Sequence, residues 1–272
     1  MHYSLVHLPV KYLTQSVLLT VSFVSMSFVA CNPTPGASAT ATLQLAPSAH
    51  TFTTSTGWNV TLTEAVLVPD ALYVYAPAGD TMASLTQSLW PVAMSVAQAH
   101  GGHDPFGSRR VRLEWLGPES LDLLGDSSRE IGMMDGTIGS TSDVTLSFAL
   151  LVGEQANLSS VSHGHHAWVR GTATKMGETI AFAGGLDFGS GGTEGIIESI
   201  MVSPSIARTG TQTLMVNTAA WLDLCQFNRL PGTGATERSI DPLNQVGIGF
   251  ELGLRNATSY SVRYENAQEM NP

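Results

Sequence analysis

The stretch AWVRGTATKMGETIAFAG, residues 167–184, decides the fold class of this chain. Apolar and polar residues alternate along residues 168–174, which is the period of a half-buried β-strand. The dipeptide Met176-Gly177 interrupts the alternation, and a glycine at such a point favours a tight turn. We therefore predict a β-hairpin whose strands are residues 167–175 and 178–184.

The same alternation recurs along most of the chain. Trp58, Val60 and Leu62 are apolar, while the residues between them are polar, so they define one side of a strand. Further strands are predicted at residues 111–115, 144–150, 196–202, 213–216 and 246–254. Many short strands with glycine-rich connections are typical of an antiparallel β-sandwich. We predict a mainly β fold of this kind with one or two short helices.

Two stretches favour helices. Residues 82–99 contain good helix formers that Pro91 interrupts, and residues 217–230 place most of their large apolar side chains on one side. Residues 246–254 allow two interpretations, since apolar residues four apart suit a helix whereas three glycines favour a strand. Because of the three glycines, we predict a strand for residues 246–254.

The composition excludes several classes of protein. The 272 residues include 12 basic and 22 acidic side chains, for a formal net charge of −10. Nucleic-acid binding is therefore not expected, because it depends on clustered Lys and Arg. Hydrophobic residues make up 43% of the chain, too many for a disordered protein. Two cysteines cannot form a disulfide scaffold.

The N-terminal segment has the pattern of an export signal. The uncharged run VLLTVSFVSMSFVA, residues 17–30, is shorter than the roughly 20 residues of a membrane-spanning helix. It ends in Phe28-Val29-Ala30-Cys31, which resembles the lipobox of bacterial lipoproteins. The resemblance covers this segment alone. The alternative is an ordinary secreted protein that is cut nearby.

The lipobox resemblance implies that the peptide is cleaved before Cys31 and that Cys31 is acylated. The protein would then be held at the bacterial cell envelope by its lipid, facing the periplasm or the cell surface. The resemblance also implies that Asp after the cysteine favours the inner membrane, and Asn32 stands there instead. The outer membrane is therefore the expected location.

Four segments of the chain are predicted on this basis. Residues 1–30 form the lipoprotein signal peptide. Residues 31–48, rich in Pro, Ala, Ser and Thr, form a flexible tether. Residues 49–268 form one β-sandwich domain, and residues 269–272 form a short C-terminal tail.

Histidines form the most distinctive local pattern. One group is AHGGHDP, with His100, His103 and the neighbouring Asp104; the other is SHGHHAW, with His163, His165 and His166. Neutral imidazole is a good ligand for Zn(II) and Cu(II), and a carboxylate can complete or orient such a site. In a locally extended segment, the first and second histidines of SHGHHAW would project from one face and the third from the other.

These residues predict a copper or zinc site formed where the two groups meet. The competing interpretation is that both groups lie in solvated surface loops. The lone His50 is expected at the surface. Cys225 lies on the apolar side of its predicted helix, which favours a buried structural thiol.

Three functions follow from these observations. The first is a cell-envelope lipoprotein that captures, delivers or detoxifies copper or zinc through its histidines. The second is a metal-free structural or protein-binding envelope module. The third, and the weakest, is a metal-dependent hydrolytic enzyme. No catalytic residue is predicted, since the sequence contains no Gly-x-Ser-x-Gly, His-Glu-x-x-His or phosphate-binding motif.

Overall fold

The computed structural model describes residues 37–77, 110–148, 161–188, 195–202, 205–207, 209–234 and 236–267. Residues Pro35–Pro272 form one compact unit. The predicted signal peptide, Cys31 and the predicted helix at 82–99 lie outside the described residues. The same holds for His100, His103 and Asp104.

Eight strands form a closed barrel. In order around the barrel they are β1 (Ser38–Ala46), β14 (Thr209–Val216), β16 (Tyr260–Asn266), β12 (Ile196–Val202), β9 (Asp143–Ser147), β4 (Ala71–Tyr75), β5 (Val111–Leu116) and β7 (Arg129–Thr137), which pairs again with β1. The pairs β1–β14 and β12–β16 are parallel, and the other neighbours are antiparallel.

The prediction of a flexible tether is wrong for residues 38–46, which form strand β1. Residues 31–48 read as a linker, yet Ser38–Ala46 pairs with β7 on one side and with β14 on the other. Every second residue of β1 is buried, ending with Leu43 at 0% and Leu45 at 2% exposure. The small Ala and Thr residues of this segment suggested a linker. No strand was predicted there, because the strands that pair with it lie far away in the sequence.

The remaining strands form a second sheet and one short pair. The second sheet has the order β15 (Arg238–Ser239), β11 (Glu178–Leu186), β10 (Ala167–Lys175), β3 (Asn59–Leu67) and β2 (Thr51–Thr53), and β6 (Leu121–Asp122) also pairs with β3. The short pair is β8 (Gly139–Ser140) with β13 (Ser205–Ile206).

The predicted hairpin is confirmed as β10 and β11. Its two turn residues, Met176 at φ 50° and Gly177 at φ 84°, both have positive φ, which matches the twist of antiparallel strands. One hydrophobic cluster includes buried residues of both sheets, such as Leu43 in the barrel and Phe182 in β11. A mainly β fold is thus confirmed. The sandwich is not confirmed, because the larger sheet closes on itself.

Two α-helices and two 3-10 helices lie between the last strands. They are α1 (Thr218–Leu222), α2 (Gln245–Arg255) and the 3-10 turns Phe227–Arg229 and Ala257–Ser259. The predicted helix at 217–230 is therefore divided into α1 and a 3-10 turn. Among the described residues, no helix has both the length and the apolar character needed to cross a bilayer.

The prediction of a strand at 246–254 is wrong, because this segment is helix α2. Asn244 caps the helix by accepting a hydrogen bond from Gly247 N at 2.8 Å. Gly253 lies against α1, where a Cβ would come within 2.4 Å of Trp221 O. Tertiary contact therefore outweighs the low helix propensity of glycine. Cys225 is buried beside this helix as a free thiol, as predicted.

Candidate functional site

The segment with His163, His165 and His166 is a turn that leads directly into β10. His163 has φ 54° and Gly164 has φ 85°, so the expected extended conformation is wrong at this point. A left-handed backbone costs a non-glycine residue about 1 kcal/mol. The turn is closed by a hydrogen bond from His165 N to Ser162 O at 3.0 Å.

Two of the three imidazoles lie against the indole of Trp168. The His163 ring is 4.2 Å from the indole centroid at an interplanar angle of 34°, and the His165 ring is 5.8 Å away at 10°. Gly185 is the partner of Trp168 in β11. A Cβ there would lie 2.2 Å from the His165 ring, so the glycine provides the space that the imidazole fills.

Glu64 of β3 connects this group of rings. Its carboxylate accepts hydrogen bonds from Trp168 Nε1 at 2.8 Å and from Arg170 at 2.6 Å, and it lies 3.3 Å from His163 Nε2. Burial raises the pKa of Glu64, but the hydrogen bond from Trp168 and the charge of Arg170 outweigh it. The net result is a lowered pKa, so Glu64 is ionised at neutral pH.

A β-bulge places Glu64 on this face of the sheet. The register of β3 against β10 shifts so that Leu62 pairs with Gly171 and Glu64 pairs with Arg170, leaving Thr63 as the extra residue. The alternation through Trp58 and Leu62 would otherwise turn Glu64 towards the core. Bulges commonly redirect a side chain in this way.

Arg170 contacts a second carboxylate, that of Glu237, in addition to Glu64. Its guanidinium lies 5.7 Å from the Trp168 ring centroid, within the range of cation–π attraction. Arg170 Nε is 3.1 Å from Glu237 Oε2, an ion pair without the geometry of a hydrogen bond. About a third of the Arg170 and Glu64 side chains is exposed, so water screens these ion pairs.

His165 is bonded to a different carboxylate. Its Nδ1 is 2.9 Å from Asp187 Oδ2, and this hydrogen bond raises the pKa of His165 above its ordinary value against the opposing effect of burial. For Asp187, burial raises the pKa, while His165 lowers it by more. Both groups are therefore charged at pH values between the lowered pKa of Asp187 and the raised pKa of His165.

His166 is a core residue. Its side chain is 3% exposed, and its ring lies near Phe148 and Phe188. The backbone N–H of Phe188 donates to His166 Nδ1 at 3.1 Å, so this nitrogen already uses its lone pair within the protein. His166 Nδ1 also lies 3.6 Å from Asp187 Oδ1, so His166 shares this carboxylate with His165 but is buried where His165 is partly exposed.

A cavity of about 300 Å³ opens beside His163. Its walls carry two carboxylates, one imidazole and two valines. The lining residues are Thr63, Glu64, Val66, Asp122, Val161 and His163.

The arrangement suits a partial metal site. His163 and His165 each have one ring nitrogen at a carboxylate, through Glu64 and Asp187, and this orientation is typical of metal-binding histidines. Within the described ranges, however, no group of three or more His, Cys, Asp or Glu side chains is placed to hold an ion. The contribution of His100, His103 and Asp104 stays a prediction. His50 is exposed.

Sequence reasoning missed Glu64, Asp187 and Trp168. The signal for Trp168 was present, because the alternation of β10 places a large aromatic residue on the side that carries Arg170 and Thr172. A tryptophan on the polar side of a strand indicates a specific contact. Glu64 and Asp187 gave no comparable signal, since a bulge places Glu64 at the site and Asp187 directly follows the end of β11.

Comparison of the chain with protein-family models, with curated proteins and with solved structures finds no match.

Proposed function

We propose that this protein is a cell-envelope lipoprotein that captures Cu(II) or Zn(II), with His163 and His165 among its ligands. The observation that supports the proposal is the pairing of each imidazole with a carboxylate, His163 with Glu64 at 3.3 Å and His165 with Asp187 at 2.9 Å. Such pairing fixes the ring and makes its other nitrogen a better metal ligand. The ion's remaining ligands are expected from the segment with His100 and His103.

The exposure of the two rings also favours capture from solution. The side chains of His163 and His165 are 39% and 33% exposed, so an ion can reach them without opening the core. The chain's formal charge of −10 attracts cations to the protein in general. Specificity must come from the imidazoles, because diffuse acidic charge does not distinguish metals.

Titration calorimetry with chelator-treated protein tests the proposal. We expect one Cu(II) or Zn(II) per chain, and we expect a His163→Ala/His165→Ala variant to bind at least about tenfold more weakly. The matched control is His50→Ala, which removes an exposed lone histidine. Equal affinity in both variants, or no binding by the wild type beyond that of a surface histidine, would reject metal capture.

The membrane anchor is a separate proposal with its own test. If Cys31 is acylated, its acyl chains hold the protein at the membrane, and Cys31→Ser releases it into the soluble fraction. Mass spectrometry of the mature N-terminus then shows lipid on Cys31 in the wild type. An unmodified N-terminus at another residue would support ordinary secretion.

A metal-free, protein-binding module is the second proposal. It is favoured by the presence of Trp168 and Arg170 on one partly exposed sheet face beside the cavity, because Trp and Arg are enriched at binding hot spots. Trp168→Ala should then abolish capture of an envelope partner, while chelation of metal has no effect on that capture.

The sandwich arrangement of the strands likewise stays a proposal. Metal-dependent hydrolysis stays the weakest of the proposals, because the sequence contains no Gly-x-Ser-x-Gly, His-Glu-x-x-His or phosphate-binding motif.

A further inference from the structure

Two adjacent histidines are bonded to the two residues that follow β11. Just beyond the last register pair of β10 and β11, residues 165–166 lie beside residues 187–188. Three hydrogen bonds connect the two segments. They join His165 Nδ1 and Asp187 Oδ2 at 2.9 Å, His166 N and Asp187 Oδ1 at 3.3 Å, and Phe188 N and His166 Nδ1 at 3.1 Å. Each imidazole therefore has a defined partner at its Nδ1.

The carboxylate of Asp187 determines the tautomer of His165. Burial raises the pKa of Asp187, but the hydrogen bond with His165 lowers it by more, so the carboxylate is ionised at neutral pH. An ionised carboxylate accepts hydrogen bonds and cannot donate one. His165 Nδ1 must therefore carry the hydrogen of this bond. In the neutral ring, the lone pair then lies on Nε2.

His166 has the opposite tautomer. A backbone N–H can only donate, so the bond from Phe188 N uses the lone pair of His166 Nδ1. The hydrogen of the neutral His166 ring is then on Nε2, and neither nitrogen has a lone pair left for a metal ion. Exposure agrees with this difference, because the His166 side chain is 3% exposed and that of His165 is 33% exposed.

We propose that Asp187 is a positioning residue that presents Nε2 of His165 to the metal ion, and that Phe188 N excludes the adjacent His166 from the site. The inference rests on the proposed metal capture, to which it adds the donor atom and the choice between two neighbouring histidines. A histidine that binds metal commonly donates its other N–H to a carboxylate. The plane of the His165 ring is also fixed, because it stacks on Trp168 at an interplanar angle of 10°.

Long-range ¹H–¹⁵N NMR correlation of the metal-free protein tests the tautomers. At about pH 9, well above the ordinary pKa of histidine, we expect the hydrogen on Nδ1 in His165 and on Nε2 in His166. Asp187→Ala removes the acceptor, so the hydrogen of His165 should no longer be confined to Nδ1. His166 should keep its tautomer in this variant, which also shows that the fold is intact. Asp126→Ala, at an exposed loop position, is the matched control and should change neither ring.

Titration with Zn(II) in the same spectra identifies the binding nitrogen. We expect Zn(II) to shift the Nε2 signal of His165 and to leave His166 unchanged, and we expect Asp187→Ala to bind Zn(II) about tenfold more weakly than the wild type or Asp126→Ala. A wild-type His165 with its hydrogen on Nε2, or unchanged Zn(II) affinity in Asp187→Ala, would overturn the inference. The expected tautomers without any shift on adding Zn(II) would instead reject metal capture and with it the role of His165 as a ligand.

Discussion

Glu64 Oε2 accepts a hydrogen bond from Trp168 Nε1 at 2.8 Å across the β3–β10 pair. The contact depends on the bulge at Thr63, which turns Glu64 out of the core and opposite Arg170. One carboxylate thereby fixes an indole, a guanidinium and an imidazole. The contact between the rings of His163 and Trp168 and the shape of the adjacent cavity both depend on the position of Glu64.

Glu64→Ala should lower the free energy of unfolding by about 1 kcal/mol. The substitution leaves Trp168 Nε1 and the Arg170 guanidinium without their acceptor, but water replaces part of the loss because the groups are partly exposed. Urea denaturation followed by Trp fluorescence measures the change. Glu198→Ala, at an exposed position of β12, is the control and should have little effect; equal losses in the two variants would contradict the role of Glu64.

The His165–Asp187 pair predicts a defined pH dependence. The pKa of His165 is raised from 6.5, mainly by the hydrogen bond with Asp187, so its stabilising effect is complete below 6.5 and is lost as pH rises through the raised value. The pKa of Asp187 is lowered from 3.8 in spite of burial, so its effect is present above 3.8 and is lost as pH falls through the lowered value. The pair therefore stabilises the fold most between these two ordinary values.

Asp187→Asn should reduce the thermal midpoint more at about pH 5 than at about pH 8. It should also lower the pKa of His165 measured by NMR, because burial alone then acts on the imidazole. Asp126→Asn, at an exposed loop position, provides the control. A His165 titration that is unchanged in the Asp187 variant would disprove the coupling.

Local patterns predicted those elements whose partners are close in the chain. The hairpin of β10 and β11 needs only its own alternation and the turn at Met176-Gly177, so residues 167–175 were predicted correctly. Strand β1 was missed because it pairs with β7 and β14, which begin about 90 and 170 residues later. Nothing within residues 38–46 indicates that such distant partners exist.

The candidate site was predictable only in part. The sequence places His163 and His165 near Trp168, and the structure sets both rings against that indole, the His165 ring stacked and the His163 ring tilted. The carboxylates could not be predicted, because Glu64 reaches the site through a register shift. His166 was grouped with its neighbours, but the hydrogen bond from Phe188 N holds it in the core. Adjacent histidines therefore have different roles.

Strand β1 gives a prediction about the boundary of the folded unit. Leu43 is fully buried in the barrel, so Leu43→Ala should cost about 3 kcal/mol. Leu116→Ala, at a strand end that is 46% exposed, should cost less than about 1 kcal/mol. Chemical denaturation gives both values, and similar losses in the two variants would show that β1 is not part of the core.

Truncation tests the same strand more severely. A protein that begins at residue 47 lacks the strand that joins β7 to β14, so the barrel opens and leaves two unpaired edges. We expect it to aggregate or to be degraded rapidly by protease, whereas a protein that begins at residue 35 resists the protease. Cooperative unfolding of the shorter protein, with an unchanged midpoint, would contradict the closed barrel.

Gly253 in helix α2 provides the last prediction, in which propensity and packing have opposite effects. In an isolated helix, Gly→Ala is stabilising by about 1 kcal/mol. At position 253, however, the new methyl group would lie 2.4 Å from Trp221 O and 2.5 Å from Ala220 O, and backbone atoms of α1 cannot rotate away as a side chain does. We therefore expect Gly253→Ala to destabilise the protein by about 2 kcal/mol. Gly125→Ala is the control, since its nearest neighbour is at an ordinary 3.6 Å. A higher thermal midpoint for Gly253→Ala would show that α1 and α2 pack less closely than in the structure. The contact of Gly253 with α1 would then not explain why residues 245–255 are helical.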